Sequence, residues 1–170
     1  KYNDLLQDII MTPYMDGQLA TDEQVLAQVI GLLFAGHETT AGQAAWVIIN
    51  LLQTPDYLNL VREEVDDQLP YGNQITAKSM AKMKYLRWAI DETTRLRPSA
   101  DVLMRVADEE VKVGDYTIPK NWFVILGVGA LGRHPDYVTD PHRFDPHRFA
   151  PGRAEHKSSR NLISGFGGGK

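Results

Sequence analysis

Cysteine does not occur among the 170 residues. Its absence excludes disulfides, thiolate metal sites and thiol nucleophiles from this stretch of chain. Long apolar runs are missing as well: no run of about 18 apolar residues appears, so no transmembrane helix is predicted. The opening Lys1-Tyr2-Asn3 lacks the basic-then-apolar layout of a signal peptide. There is no surplus of positive charge. Lys and Arg number 18 against 22 Asp and Glu, a net charge of −4, and nothing in that balance pulls toward nucleic acid. No internal repeat is visible. What remains is ordinary for a core-forming chain, 43% hydrophobic and 24% charged, with a length that suits one domain or part of a larger one. The start has no initiator Met and looks mid-helical, so both ends are expected to be cuts in a longer sequence.

Residues 1–10 carry a short helical pattern, broken by Thr12-Pro13 and Asp16-Gly17. Thr21 and Gln24 then form the pattern of a capping box. From residue 22 to about 53 nothing stops a helix until Pro55. Thirty residues make a rod of about 45 Å. It is apolar around much of its circumference, which predicts burial over most of its length. A second, amphipathic helix is predicted from Pro55 to about 68, and a third through Met83, Leu86, Ala89, Ile90 and Thr93, ending before Pro98. The periodicity then changes. Short strands are predicted at 102–106, 110–113, 116–118 and 122–126 around a Gly114-Asp115 turn. From Gly127 onward the chain reads as loop, and a loop of that length inside a compact unit usually has a task.

Three stretches carry chemistry. The rod holds "LLFAGHETTAG", in which Ala35, Gly36, Thr39 and Thr40 share one face with Glu38 beside them. Glycine costs a helix about 1 kcal/mol relative to alanine, and it lets another body approach the backbone. Threonine bonds the carbonyl of the preceding turn. The stretch reads either as a groove able to hold a small polar ligand and pass protons, or as a plain packing contact. Glu92 and Arg95 in "DETTRLRP" stand at i, i+3, the spacing of an ion pair, which is worth little when solvated. Arg148 in "FDPHRF" changes that reading if the loop folds back over the helix. The last stretch, "SGFGGGK", fails a phosphate-binding loop, because Ser164 stands where the first glycine belongs. It fails a dinucleotide fingerprint too, since the third glycine falls on Lys170. It remains compatible with a loop that brings a ligand residue beneath a flat cofactor. The histidine pair His142 and His147 lacks the further ligands of a zinc site.

Taken in order, these stretches resemble the cytochrome P450 family. "AGHETT" resembles the family's A-G-x-[D/E]-T-T on its long central helix, and "ETTR" matches E-x-x-R. "FDPHRF" resembles F-x-P-x-R-F, with His147 where glutamate is commoner, and "FGGGK" is similar to the opening of the haem loop. The resemblance covers essentially the whole chain and implies a mainly α fold with a small β region, a partial P450 fold comprising the long helix, the E-x-x-R helix, a meander loop and the start of the haem loop. It implies residues 1–170 as a fragment of a single catalytic domain, truncated at both ends.

The implied cofactor is haem, held in the full-length protein by a cysteine expected three residues beyond Lys170; the metal ligand is thus not among these residues, and the fragment alone is expected to be inactive. The implied reaction is monooxygenation of an apolar substrate by O₂, with electrons from a reductase or ferredoxin. In that scheme Thr39 and Glu38 are the catalytic proton relay, Ala35 and Gly36 leave room over the ring, Arg105 pairs with a haem propionate, and Phe166 and Gly167 lie near the ring on the thiolate side. Glu92, Arg95 and Arg148 form a structural charge network. "LMRVA" ahead of "YTIP" is similar to the sterol 14α-demethylase branch, which suggests a sterol or other lipid, although Glu38 stands where that branch usually has histidine. A non-catalytic haem-fold binding or scaffold relative, and a nucleotide-binding helical protein, are the rival readings. Location follows from segments outside this window, either cytoplasmic or associated with the endoplasmic reticulum membrane.

Overall fold

The computed structural model describes residues 4–71, 74–159 and 162–163. The chain divides into two compact units, Lys1–Ala41 and Gly42–Lys170, and one long helix contributes to both.

In the first unit, α1 (Leu5–Met11) begins at Asp4, whose carboxylate accepts from the Gln7 N–H at 2.9 Å. The chain then reverses at Gly17, whose φ of +82° suits a residue without a Cβ. The Tyr14 N–H donates to the Gln18 carbonyl across this turn. The long helix α2 (Asp22–Leu52) starts with a reciprocal cap: Gln24 N–H to Thr21 Oγ1, and Thr21 N–H to Gln24 Oε1. It is unbroken over 31 residues.

The expectation that most of α2 is buried does not hold. Its midsection is exposed, with Leu33 at 67% and Phe34 at 75%, and among its residues only Val47, Asn50 and Leu51 are buried. An apolar circumference records that a surface needs covering, but not that this stretch of chain covers it.

The second unit packs around the end of α2. Val47 and Leu51 meet Tyr57 and Val61 of α3 (Pro55–Gln68) and Ala89 of α5 (Lys84–Leu96). Pro55 opens α3 at the helix start, where its missing N–H costs nothing. Asn50 donates to Thr93 Oγ1 at 3.2 Å, so this buried polar pair between α2 and α5 is satisfied. The Trp46 ring lies under the Arg97 guanidinium, 4.2 Å from ring centroid to Cζ. Between α3 and α5 a single turn, α4 (Ala77–Met80), is held by a Thr76–Ser79 capping box. It is too short to show a period in sequence.

After α5, β1 (Val102–Val106) pairs antiparallel with β4 (Phe123–Gly127), and β2 (Val111–Val113) pairs with β3 (Tyr116–Ile118). Gly114 turns the inner hairpin at φ +59°. Register places Met104 opposite Ile125 and Val106 opposite Phe123. These four, with Val102, share one face of the outer hairpin, and all five are exposed.

A five-residue helix, α6 (Val128–Gly132), follows directly where loop was expected. Two glycines make it a poor helix by propensity. Packing accounts for them: a Cβ on Gly132 would strike the Arg95 carbonyl, and one on Gly129 would strike the Asp101 carboxylate. The described residues after α6 are irregular except for 3₁₀ turns at Pro146–Phe149 and Glu155–Lys157. The architecture is mainly α with a small antiparallel β region.

Candidate functional site

The small-residue stretch of α2 lies in the first unit. Ala35, Gly36, Glu38 and Thr39 are all exposed. A Cβ built on Gly36 meets no heavy atom within 4 Å, so the helix backbone is open to approach there. The Thr39 hydroxyl donates to the Ala35 carbonyl at 2.5 Å. This back-bond occupies one turn of the helix without breaking it. The stretch is therefore an apolar, sterically open strip, bordered by Leu33 and Phe34, with a hydroxyl and a carboxylate on it.

The charged residues lie in the second unit. α5 buries one face, and that face includes Glu92 and Arg95. The segment after α6 returns over it and inserts Arg148, which is wholly buried. Glu92 Oε1 accepts from Arg148 Nε at 2.9 Å, from Arg95 Nη2 at 2.8 Å and from the Asp145 N–H at 3.0 Å. Glu92 Oε2 accepts from Arg95 Nε at 2.7 Å. The other guanidinium donors reach backbone carbonyls. Arg95 binds Gly132, Pro141 and Arg143. Arg148 binds Thr139, Asp140 and Arg143. Two rigid donor forks thus organise a segment that has almost no repetitive structure of its own.

An outer set completes this cluster, and sequence reasoning missed it. Arg148 Nη1 donates to Glu155 Oε2 at 2.7 Å. Arg153 bridges Glu155 and Asp145. Burial pushes the Glu155 carboxyl up, but hydrogen bonds from Arg153, the Thr139 N–H and Arg148 outweigh it and hold the group below its ordinary range. Asp145 behaves alike: burial raises it, and the Arg153 hydrogen bond with the Arg153 and Arg148 charges brings it lower. No local spacing signals these contacts, because they depend on a loop path.

Glu64 is a second missed residue. From α3 it accepts the N–H groups of Tyr85 and Leu86, each at 2.9 Å, and so caps the start of α5 from another helix. Tyr57 of α3 donates its hydroxyl to the Tyr85 carbonyl at 3.0 Å, and burial foremost, then the Glu64 charge, raises its phenol above the usual tyrosine value. Among the described residues no cluster of three or more His, Cys, Asp or Glu side chains could hold a metal ion; the His147 ring stands edge-on to Tyr57, 5.2 Å between centroids.

Arg105 projects from β1 and is exposed, with Nη1 on its neighbour's carbonyl, Met104, at 2.8 Å. Among the described residues it has no carboxylate partner. Phe166 and Gly167 lie outside the described residues.

Known proteins match this sequence along its length. A family model described as "Cytochrome P450" matches residues 1–170. Cytochrome P450 81F4 of Arabidopsis thaliana is 32% identical over 99% of this chain and 34% of its own length. A sterol 14alpha-demethylase of Mycolicibacterium vanbaalenii is 33% identical over 98% of this chain and 37% of its own. Cytochrome P450 3A6 of Oryctolagus cuniculus is 37% identical over 76% of this chain and 26% of its own. The chain spans about a third of the length of these curated relatives. With the long helix, the buried Glu–Arg–Arg cluster and a match along its whole extent, the chain belongs to the cytochrome P450 family.

Proposed function

We propose that the 170 residues lie within a single catalytic domain of a haem-thiolate monooxygenase that inserts one oxygen atom from O₂ into an apolar substrate. The family implies haem, ligated by cysteine in full-length members. When bound, haem supplies the activation of dioxygen, which protein side chains do not perform. Two observations fit such a group. Gly36 leaves the helix backbone open to a flat body. Arg105 offers an exposed guanidinium suited to a carboxylate such as a propionate.

The observation that carries the reading is the open strip on α2. Gly36 has no side chain and Ala35 only an exposed methyl, so little there obstructs a ring. The Thr39 proton rests on the Ala35 carbonyl, and rotation about Cα–Cβ redirects it to an acceptor outside the helix. Glu38, exposed beside it, exchanges protons with solvent and resupplies the hydroxyl. Glu92, Arg95 and Arg148 take no part in the chemistry; they fix the meander segment against α5.

The sterol or lipid substrate rests on "LMRVA" and "YTIP" and on the likeness to the demethylase. Relatives named a beta-amyrin 11-oxidase and a flavonoid hydroxylase show how wide the range of apolar substrates is among similar proteins. O₂ and an electron-donating reductase or ferredoxin are the implied partners.

Expression of the full-length protein tests this. Its reduced form under carbon monoxide should absorb at the position of a thiolate-ligated haem. Thr39→Ala should release more peroxide and form less product per electron consumed. A soluble full-length protein that takes up no haem overturns the family chemistry; unchanged coupling removes Thr39 from the relay.

A further inference from the structure

The charges around α5 do not balance on the three residues that the motifs supply. Glu92 carries one negative charge against two positive ones on Arg95 and Arg148, and all three side chains are 0% exposed. A surplus charge sealed from water is costly unless a counter-charge reaches it. Glu155 reaches it, through Arg148 Nη1 at 2.7 Å, and also accepts from the Thr139 N–H at 3.1 Å. Its second oxygen accepts from Arg153, which pairs with Asp145, whose own N–H returns to Glu92. Five charged residues, Glu92, Arg148, Glu155, Arg153 and Asp145, form a ring closed by the Asp145 N–H, and Arg95 joins it as a branch on Glu92, which makes three charges of each sign. Glu92 has no exposed area, whereas the Glu155 side chain is 16% exposed and that of Asp145 24%. Solvent protons reach the outer carboxylates first.

We propose that Glu155 is the fourth member of the buried charge network and its acid-sensitive latch. Protonation of its carboxylate leaves the buried Glu92–Arg95–Arg148 set with one positive charge in surplus and releases residues 139–157 from α5. The proton comes from solvent; the hydrogen bonds that Glu155 accepts from Arg148, Arg153 and the Thr139 N–H are weakened, and no other covalent bond is made or broken.

The charged groups of this latch are Arg148, Arg153 and Asp145 on its own segment; Arg148 connects it to Glu92 and Arg95 on α5, and Asp145 to Tyr57 of α3. His156, next in sequence, stacks instead on Phe149, 5.4 Å between ring centroids. The sign follows from the lowered carboxyl. Glu155 stabilises the fold fully above its ordinary value of 4.5, and the contribution is lost as pH falls below that.

Hydrogen–deuterium exchange of the full-length protein, corrected for intrinsic rates and followed from neutral pH to below 4, reads the release directly. Peptides covering 139–157 should lose protection before those of α3 and α5. Glu155→Gln should lower protection of that segment at pH 7 by about ten-fold or more, the equivalent of one charge-assisted hydrogen bond. If that variant does not fold, Arg153→Met decides: it deletes a hydrogen bond that holds the Glu155 carboxyl low, so release should move to higher pH. Wild-type loss of 139–157 only together with α3 and α5, wild-type protection in Glu155→Gln, or an unmoved release pH in Arg153→Met overturns the proposal.

Discussion

Arg148 Nε donates to Glu92 Oε1 across 2.9 Å, although the two residues stand 56 positions apart in the chain and neither side chain touches solvent. Removing one partner of such a buried network strands charge. Glu92→Gln leaves two guanidiniums facing a single outer carboxylate and should cost about 3–5 kcal/mol. Chemical denaturation at pH 7 checks this, and a cost under about 1 kcal/mol, the range of an exposed pair, would contradict the burial argument.

Two glycines should respond to alanine in opposite directions. At Gly132 the added methyl meets the Arg95 carbonyl, and the same residue's own carbonyl accepts from Arg95 Nη1 at 2.6 Å. Gly132→Ala should destabilise by about 1–3 kcal/mol. At Gly36 the added methyl meets nothing, so Gly36→Ala should stabilise α2 by up to about 1 kcal/mol. If the strip does receive a haem, the same change should lower activity while raising the unfolding midpoint. Thermal melts of the two variants, with turnover measured on the second, separate these outcomes.

Glu64 holds the first turn of α5 with both carboxylate oxygens. Glu64→Ala should cost about 1–2 kcal/mol, the range of a lost helix cap. Exchange of the Tyr85 and Leu86 amides should accelerate more than that of amides at the far end of the helix. Equal acceleration throughout α5 would instead point to global loosening.

Tyr57 makes an alkaline prediction. Its phenol is raised above 10.0 in the fold, so the folded state keeps a proton that the unfolded chain releases at that pH. The contribution is present below pH 10 and is lost as pH rises beyond it. Tyr57→Phe should flatten this part of the stability profile. It should cost about 1 kcal/mol at neutral pH, where the hydrogen bond to the Tyr85 carbonyl disappears. Tyrosinate absorbance with rising pH, read against unfolding by circular dichroism, checks both statements.

Much of the frame was legible because it rests on local rules. The Thr21–Gln24 box, the proline at the start of α3 and the four short strands around the Gly114 turn follow from short-range chemistry, and these elements lie within a residue or two of the expected spans. Single-turn elements such as α4 and α6 were not legible, because they are too short to show a period and α6 uses glycine for clearance rather than propensity. Burial of α2 was misread, since hydrophobicity states a need and not its fulfilment. Motif spacing singled out Glu92, Arg95 and Arg148. It was silent on Glu155, Asp145, Arg153 and Glu64, whose contacts exist only once a loop or a neighbouring helix has taken its path.

The bare side of the β1–β4 hairpin has a calorimetric consequence. Val102, Met104, Val106, Phe123 and Ile125 are already hydrated in the fold, so melting adds little new apolar hydration there. The heat-capacity increment of unfolding should fall below the usual value of about 12–15 cal/mol/K per residue. Any body that comes to rest on those five side chains should announce itself by a negative heat-capacity change on binding, whatever its chemistry elsewhere.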